Sequence, residues 1–258
     1  MGTKTYFASD FHLGVDARYP SREREKQIVR WLHQIADDAE AIYLVGDIFE
    51  FWFEYRAVVP KGYVRLLGTL AELRDSGLPI YYFTGNHDLW MFQYFEEELG
   101  IPTYREPIRR EIGGKQFYIG HGDGLGPGDH GYKMLKKVFS NPTCQWLFAR
   151  IHPNLGVGMA NYWSQRSRDS HNDYENFLGA EGEWLIQYAN EYLDHTAIDY
   201  FVFGHRHLPI DFTLKNKLSR YINLGEWMYN NSYGVFDGRD LQLHFFENEQ
   251  GRIFPIHD

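Results

Sequence analysis

The sequence lacks the features that mark secreted and membrane-spanning proteins. It contains a single cysteine, Cys144, among 258 residues, so an intrachain disulfide is excluded and a reducing compartment is expected. No apolar run approaches the roughly 18 to 20 residues needed to cross a bilayer. Met1-Gly2-Thr3-Lys4 leads into a predicted strand without a basic and apolar leader segment. These absences predict a soluble protein of the cytoplasm.

An excess of positive charge is also missing. The formal net charge is −9, which argues against general binding of nucleic acid. Neither an internal repeat nor a low-complexity segment is found, so solenoids and disordered tails are not indicated. The chain is 43% hydrophobic and 17% aromatic, which is ample for a sizeable core in a globular protein.

What the sequence does contain is a series of short apolar runs that end in polar clusters. Such runs predict buried strands of an α/β fold, and ligands of such sheets bind at the carboxyl ends of the strands. The polar residues are therefore expected to converge. The predicted strands, with the polar residues that follow each, are Thr5–Ser9 with Asp10 and His12; Ala41–Val45 with Asp47; Leu78–Phe83 with Asn86, His87 and Asp88; Lys115–Gly120 with His121; and Tyr200–Gly204 with His205 and His207.

Helical patterns and further strands separate these runs. Ser21 is predicted to cap a helix that reaches about Ala36, and other helices are expected near Tyr63–Arg74, Trp90–Leu99 and Trp184–Tyr192. Arg220–Gly225 reads as a sixth strand. The remaining pattern predicts a C-terminal hairpin, in which Gly234–Phe236 and Leu241–Phe246 flank a turn at Asp237-Gly238.

The segment from about residue 125 to 180 differs from the rest because it has helical patches and no strand pattern. We expect it to be a helical cap inserted into a single domain of residues 1–258. Its basic residues are Lys133, Lys136, Lys137, Arg150, Arg166 and Arg168, and no acidic residue occurs between Gly131 and Arg168. A basic and aromatic cap suits a large anionic amphiphile or an anionic membrane surface. Alternatively, the aromatic residues form the cap's own small core and the cations its solvated face.

The polar residues at the strand ends share one kind of chemistry. Two carboxylates, one amide and four imidazoles are too many donors for one cation and suit two. Oxygen and imidazole donors without a thiolate favour Mn²⁺, Fe, Co²⁺ or Zn²⁺ over Mg²⁺, Ca²⁺ or a structural zinc. Two divalent cations beside only two carboxylates leave net positive charge, which favours a phosphate oxyanion as ligand.

The order of these motifs, Asp-x-His, Gly-Asp, Gly-Asn-His-Asp, His-Gly-Asp and Gly-His-x-His, resembles the calcineurin-like metallophosphoesterase family. The resemblance covers nearly the whole chain outside the insert. It implies a four-layer α/β/β/α sandwich with a dimetal site at the strand ends. By this resemblance the first metal is held by Asp10, His12 and His207, the second by Asn86, His121 and His205, and Asp47 bridges them.

The resemblance also assigns roles to residues beside the metals. The two oxygens of a bridging carboxylate such as Asp47 can hold cations about 3.5–4 Å apart. His87 is expected to face the phosphate and to assist the leaving oxygen or stabilise the oxyanion. Asp88 is expected to orient His87, and Asp123 to support the turn that presents His121.

Two loops resemble a narrower group, the UDP-2,3-diacylglucosamine pyrophosphohydrolases of lipid A biosynthesis. One is Gly46-Asp47-Ile48-Phe49-Glu50-Phe51-Trp52, and the other is His121-Gly122-Asp123-Gly124-Leu125. The likeness implies hydrolysis of a UDP-sugar lipid on the inner face of the inner membrane, with Mn²⁺ as the expected metal. The implied substrate-binding residues are Trp52, Asp129, Tyr132, Arg166, Ser167 and Arg168.

The chain departs from that group at His87, where its best-studied members have Arg. A broad phosphodiesterase or phosphatase acting on nucleotides or other phospholipids is therefore an alternative. A non-catalytic scaffold with this fold is another, which the full set of donors argues against. A nuclease is a fourth reading, disfavoured by the acidic net charge and kept open by the basic cap.

Overall fold

The computed structural model describes residues 3–128, 130–160 and 176–255. Most of the described strands lie where short apolar or alternating runs occur in the sequence, and together they form two sheets. The strands are β1 Lys4–Ala8, β2 Ala39–Val45, β3 Ile80–Phe83, β4 Thr103–Tyr104, β5 Ile108–Ile112, β6 Lys115–Ile119, β7 Tyr200–Phe203, β8 Pro209–Thr213, β9 Arg220–Leu224, β10 Ser232–Phe236 and β11 Leu241–Phe245. The helices are α1 Ser21–Ala36, α2 Val64–Asp75, α3 Tyr94–Leu99, α4 His130–Phe139, α5 Pro142–Phe148, α6 at residues 153–160, and α7 Trp184–Tyr192.

Each sheet contains a parallel centre with antiparallel strands at an edge. The first has the order β11-β10-β1-β2-β3-β4, and the second has the order β5-β6-β7-β9-β8. Strands β1 to β4 are parallel to one another, as are β6, β7 and β9. The carboxyl ends of parallel strands meet at one edge of a sheet, which is where ligands of α/β proteins bind.

Alternating side chains give the two sheets their layers. In β2, Ile42 and Leu44 face the helices on one side, whereas Tyr43 and Val45 face the other sheet. This follows from the two-residue period of a strand, and both faces are apolar because both are covered. Helices α1 and α2 cover the outer face of the first sheet, and α7 covers that of the second. The protein is therefore the α/β/β/α sandwich that the motif order implies.

The described part of the insert contains helices α4, α5 and α6, joined by turns, and no strand. Asn141 begins α5 as a side-chain cap, because its carbonyl oxygen accepts the backbone N–H groups of Thr143 and Cys144. Phe148 of α5 packs with Phe53 and Trp90, which belong to loops of the sandwich. Residues 161–175 lie outside the described residues, so the boundaries of the cap stay a prediction.

The structure corrects several sequence-based predictions. Ser21 does not cap α1 with its side chain; its hydroxyl accepts the N–H of Gly14 at 2.8 Å, and its own N–H is donated to Asp16. Helix α3 begins at Tyr94 rather than at Trp90. Strands β4, β5 and β8 were not predicted.

Candidate metal centre

The predicted ligands follow directly after β1, β2, β3, β6 and β7, and their backbone is unusual. Asp10, His12, Asp47, His205 and His207 all have positive φ, between 46° and 67°. The left-handed region costs an L-residue roughly 1–2 kcal/mol. Strain of this kind concentrates at functional sites, where the surrounding structure holds it in place. The left-handed conformation directs the five side chains into one space between the two sheets.

One group of donor atoms comprises Asp10, His12, Asp47 and His207, which all lie within 4.8 Å of one another. Nε2 of His12 is 3.1 Å from Nε2 of His207. Oδ1 of Asp10 is 3.2 Å from the same His207 nitrogen. This oxygen is buried without a hydrogen bond among the described residues. A buried carboxylate oxygen that faces imidazole nitrogens fits a cation.

A second group comprises Asp47, His121 and His205, and Asn86 completes it. Oδ1 of Asn86 is 3.2 Å from Nε2 of His121 and 2.8 Å from Nδ1 of His205. Oδ2 of Asp47 is 3.2 Å from Nε2 of His121 and 3.9 Å from Nε2 of His12. Asp47 therefore belongs to both groups, in the position that the resemblance gives to a bridging ligand.

Outer hydrogen bonds fix the direction of two of the imidazoles. His121 donates from Nδ1 to the carbonyl oxygen of Val45 at 2.9 Å, so Nε2 is the nitrogen left for a ligand. Nδ1 of His12 is 2.9 Å from Oε2 of Glu50, so Nε2 of His12 is likewise the nitrogen left for a ligand. A second partner of this kind holds a metal-binding imidazole in one tautomer and orientation.

The charges of the site suit cations. Burial by itself raises the pKa of Asp47, but His121, His87 and His12 hold it well below its ordinary range. Burial lowers the pKa of His205 to about 4, and His121 adds to this effect. Burial by itself lowers the pKa of His121, but Asp47 and Asp10 raise it well above its ordinary range. The ionised carboxylates thus attract positive charge to this site, and a divalent cation can replace the proton on such an imidazole.

Gly85 allows the two strand ends to approach each other. A Cβ atom at this position would lie 2.2 Å from Oδ1 of Asp47 and 2.7 Å from its backbone nitrogen. Any side chain would therefore push the β2 and β3 loops apart. The glycine of the Gly-Asn-His-Asp motif is required by close packing against the shared carboxylate.

His87 and Asp88 differ in how well they match their predicted roles. His87 lies beside the two groups, and its Nδ1 donates to the carbonyl oxygen of Glu50 at 3.1 Å. Asp88 does not orient His87, so that prediction is wrong. Its carboxylate instead accepts the N–H groups of Gly85 at 2.7 Å and Ile48 at 2.9 Å, and the hydroxyl of Tyr82. Asp88 holds together the loops that carry Asp47 and Asn86.

A cavity of about 370 Å³ opens beside the metal centre. Glu50, Asn86 and His87 are polar residues of its lining. Tyr132 also lines it, and its hydroxyl is donated to the buried carboxylate of Asp123 at 2.5 Å. The apolar wall is contributed by both the sandwich and the cap, by Phe51, Leu89, Trp90, Leu135, Phe139, Phe148 and Ala160.

The remaining predicted substrate-binding residues have different outcomes. Trp52 borders this cavity, but its side chain is fully buried against Phe49, Tyr94 and Phe95. Its ring belongs to the core, and its contact with substrate stays a prediction. Asp129, Arg166, Ser167 and Arg168 lie outside the described residues.

Two buried charged residues near the site escaped the sequence analysis. Arg24 is 2% exposed and donates to the carbonyl oxygens of Phe11, His12 and Val15, which holds the loop after β1. Glu50 is 3% exposed and contacts His12. Both are distant in sequence from their partners, so the spacing of residues does not predict these contacts. For Glu50, the Asp-Ile-Phe-Glu motif was the one feature of the sequence that could have indicated a role at the site.

Comparison with known proteins agrees with this geometry. Residues 3–209 match the model of the calcineurin-like phosphoesterase family. A UDP-2,3-diacylglucosamine hydrolase of Porphyromonas gingivalis is 39% identical over 261 residues, covering 96% of this chain and 99% of its own. The hydrolase of the same name from Aeromonas salmonicida is 28% identical, covering 93% and 92%. That from Vibrio vulnificus is 29% identical, covering 95% and 99%. The chain belongs to the calcineurin-like phosphoesterases, a family of metal-dependent hydrolases.

Proposed function

We propose that this protein is a dimetal pyrophosphohydrolase of UDP-2,3-diacylglucosamine. Water attacks the phosphorus nearer the nucleoside, the bond from that phosphorus to the bridging oxygen breaks, and the products are UMP and the lipid phosphate. The likeness to the Porphyromonas gingivalis hydrolase, which spans nearly the full length of both chains, supports this substrate.

The observation that carries the proposal is the cavity between the metal centre and the cap. Its polar lining comprises Glu50, Asn86 and His87, and the other residues that line it are aromatic or aliphatic. A phosphodiester without an apolar group would leave that wall in contact with water. A diphosphate joined to an acyl chain satisfies both ends, because burial of apolar surface is favourable by about 25 cal/mol per Å².

Asp10, Asp47, Asn86 and the four histidines would hold two divalent cations, which supply Lewis-acid polarisation of the phosphate when bound. We propose Mn²⁺, since the donors combine carboxylate and amide oxygen with imidazole nitrogen and include no thiolate. Asn86 contributes a neutral oxygen, so only the two carboxylates offset the positive charge. The excess charge attracts a diphosphate.

His87 is the residue of this chain that we assign to the reacting phosphate. Its Nδ1 donates to the carbonyl oxygen of Glu50, so we assign Nε2 to the contact with the substrate. Donation from Nε2 to a phosphate oxygen requires the imidazolium form, with a proton on both nitrogens. Burial lowers the pKa of His87, so we propose that the ring takes up this second proton when the anionic diphosphate binds beside it. His87 thus stabilises the anion and aligns the diphosphate with the metal centre.

The outer face of the cap supports contact with a membrane. Exposed apolar side chains project from its helices, and no helix of the described residues is long and apolar enough to cross a bilayer. Lys137 and Arg150 lie among them, and each cation near an anionic membrane contributes about 1 kcal/mol. We propose peripheral docking on the cytoplasmic leaflet, where the lipid substrate would be met. The exposed apolar residues are Met134, Val138, Trp146, Leu147, Leu155 and Met159.

A broad phosphodiesterase is the second candidate, and the histidine at position 87 favours it. The lipid-specific enzymes that the two loops resemble carry Arg there, which offers a bidentate contact to phosphate that imidazole lacks. A single donor holds the phosphate less strictly. A site of this kind would tolerate other phosphate esters.

A substrate panel separates the candidates. Purified protein with Mn²⁺ is offered UDP-2,3-diacylglucosamine, an aryl phosphodiester and single-stranded DNA at equal concentration. We expect hydrolysis of the lipid with little turnover of the other two. Turnover of the aryl ester alone supports the broad phosphodiesterase, turnover of DNA supports a nuclease, and no turnover with any divalent metal supports a scaffold. Asp47→Ala serves as the control for a contaminating activity.

A further inference from the structure

Glu50 is a buried carboxylate that the proposed ligand set does not use. It lies three residues after Asp47, and its side chain is 3% exposed. Burial of a charge is costly unless it is paired or hydrogen-bonded. The contacts of this residue therefore need a physical account, and two of them involve histidines of the site.

The side chain and the main chain of Glu50 each hold one imidazole. Oε2 of Glu50 is 2.9 Å from Nδ1 of His12. The carbonyl oxygen of Glu50 is 3.1 Å from Nδ1 of His87. Both oxygens can only accept, so both Nδ1 atoms carry a proton. Nε2 of His12 is then left unprotonated in the neutral ring and directed at Asp10 and His207, at 3.6 Å and 3.1 Å.

The two rings also contact each other, since His12 and His87 meet edge to face with centroids 4.8 Å apart. A shift of the Glu50 backbone would move His87, and a loss of its carboxylate would free His12. One residue is thus placed to set the orientation of a predicted ligand of the first metal and of the histidine that faces the phosphate.

We propose that Glu50 is a positioning residue that fixes the Nδ1–H tautomer and the orientation of both His12 and His87. Only the part of this proposal that concerns His87 at the reacting phosphate rests on the proposed function. A competing possibility is that Glu50 itself binds a cation, because donor atoms of Glu50, His12 and His87 lie within 4.8 Å of one another. That arrangement would require Nδ1 of His12 to lose its proton, and the stoichiometry of bound metal distinguishes the two.

The test compares Glu50→Ala and Glu50→Gln by calorimetric titration with Mn²⁺ and by ¹⁵N NMR of the imidazoles in the diamagnetic Zn²⁺ form. Removal of such a partner typically lowers metal affinity about 10- to 100-fold. We expect a loss of that size at one site in Glu50→Ala, with the other site unchanged and the His12 ring no longer confined to one tautomer. Glu50→Gln should keep the Nδ1–H tautomer and lose less than about tenfold, because its amide oxygen still accepts.

Glu54→Gln is the matched control. The carboxylate of Glu54 belongs to the same loop but accepts the backbone N–H groups of Phe92 and Gln93, each at 2.7 Å, where α3 begins. Its replacement should lower stability while metal affinity and the His12 signals stay as in the parent.

Two results would overturn the proposal. One is a Glu50→Ala protein that unfolds more easily but keeps both metal affinities and the His12 tautomer. The other is a parent protein that binds a third cation which Glu50→Gln loses. These readouts need no substrate, so they stand even if the protein proves inactive on the lipid. If Glu50→Ala does not fold, Glu50→Gln still reports the tautomer and the stoichiometry.

Discussion

The backbone N–H of His87 donates to Oδ1 of Asp47 at 2.8 Å. The other oxygen, Oδ2, faces His121 and His12. Asp10 has the same arrangement, with Oδ2 accepting the N–H of His205 at 3.1 Å and Oδ1 directed at His207. Each carboxylate is held at one oxygen by the backbone of another strand end. A single oxygen of Asp47 therefore serves both groups, where the sequence analysis expected its two oxygens to divide between the cations.

Replacement of the shared carboxylate should remove both cations. Asp47→Ala deletes a donor from both groups, so we expect neither Mn²⁺ to bind at micromolar concentration. Electrostatic stabilisation worth several kcal/mol disappears with the metals, and turnover should fall at least about 10³-fold. Metal content by inductively coupled plasma mass spectrometry, together with the rate on any accepted substrate, checks this. A variant that keeps two bound cations would contradict a shared role for Asp47.

Replacement of His87 should separate catalysis from metal binding. The side chain belongs to neither of the two donor groups that contain Asp47, and loss of one donor to a developing oxyanion typically costs about 10²- to 10³-fold in rate. His87→Ala is therefore expected to slow turnover by that amount while both cations stay bound. Metal content and kcat measured on one preparation check this. Release of a cation would show instead that His87 is a ligand.

Asp88 should prove to be a stabilising residue. Asp88→Ala leaves the N–H groups of Gly85 and Ile48 and the hydroxyl of Tyr82 without their buried acceptor. Each unsatisfied buried donor costs about 1–3 kcal/mol, so we expect the free energy of unfolding to fall by roughly 3 kcal/mol or more. Tyr82→Phe removes one partner of the same carboxylate and should cost less. Urea unfolding of both variants checks the order, and equal losses would argue against it.

Metal removal should destabilise the fold as well as stop hydrolysis. Five left-handed residues and the buried carboxylates of Asp10, Asp47 and Glu50 lie at the site, and bound cations would offset the repulsion between these carboxylates. A ligand at 100 times its Kd stabilises a protein by about 2.7 kcal/mol, which for a chain of this size raises Tm by roughly 5–10 °C per site. Differential scanning fluorimetry with EDTA and then with added Mn²⁺ measures it. An unchanged Tm would mean that the folded chain binds no cation at these concentrations, which would contradict the metal centre.

The sequence predicts the metal centre better than it predicts the support around it. Asp10, Asp47, Asn86 and His121 follow apolar runs, and parallel strands bring such positions to one edge. The residues that support the ligands and their loops cannot be predicted from local sequence, since Glu50 lies 38 residues from His12 and Asp88 lies 40 residues from Ile48. Their pairing is decided by the tertiary packing of the loops.

The missed strands have different explanations. Strand β5, Ile108–Ile112, has apolar residues only at its two ends, and it turns at Gly113-Gly114 into β6. This is a hairpin signal that the sequence analysis overlooked. Strand β4 is two residues long, which is too short to carry a pattern. Strand β8 alternates apolar and polar residues after an initial proline, which marks a run as an edge strand or a loop; it lies at the edge of its sheet.

The most direct test of the proposed function is hydrolysis of UDP-2,3-diacylglucosamine in H₂¹⁸O with Mn²⁺, with both products analysed by mass spectrometry. Attack on the phosphorus nearer the nucleoside predicts one ¹⁸O in UMP and none in the lipid phosphate. Label in the lipid phosphate would place the attack on the other phosphorus. Absence of both products, from a protein shown to hold two cations, would contradict the proposed substrate.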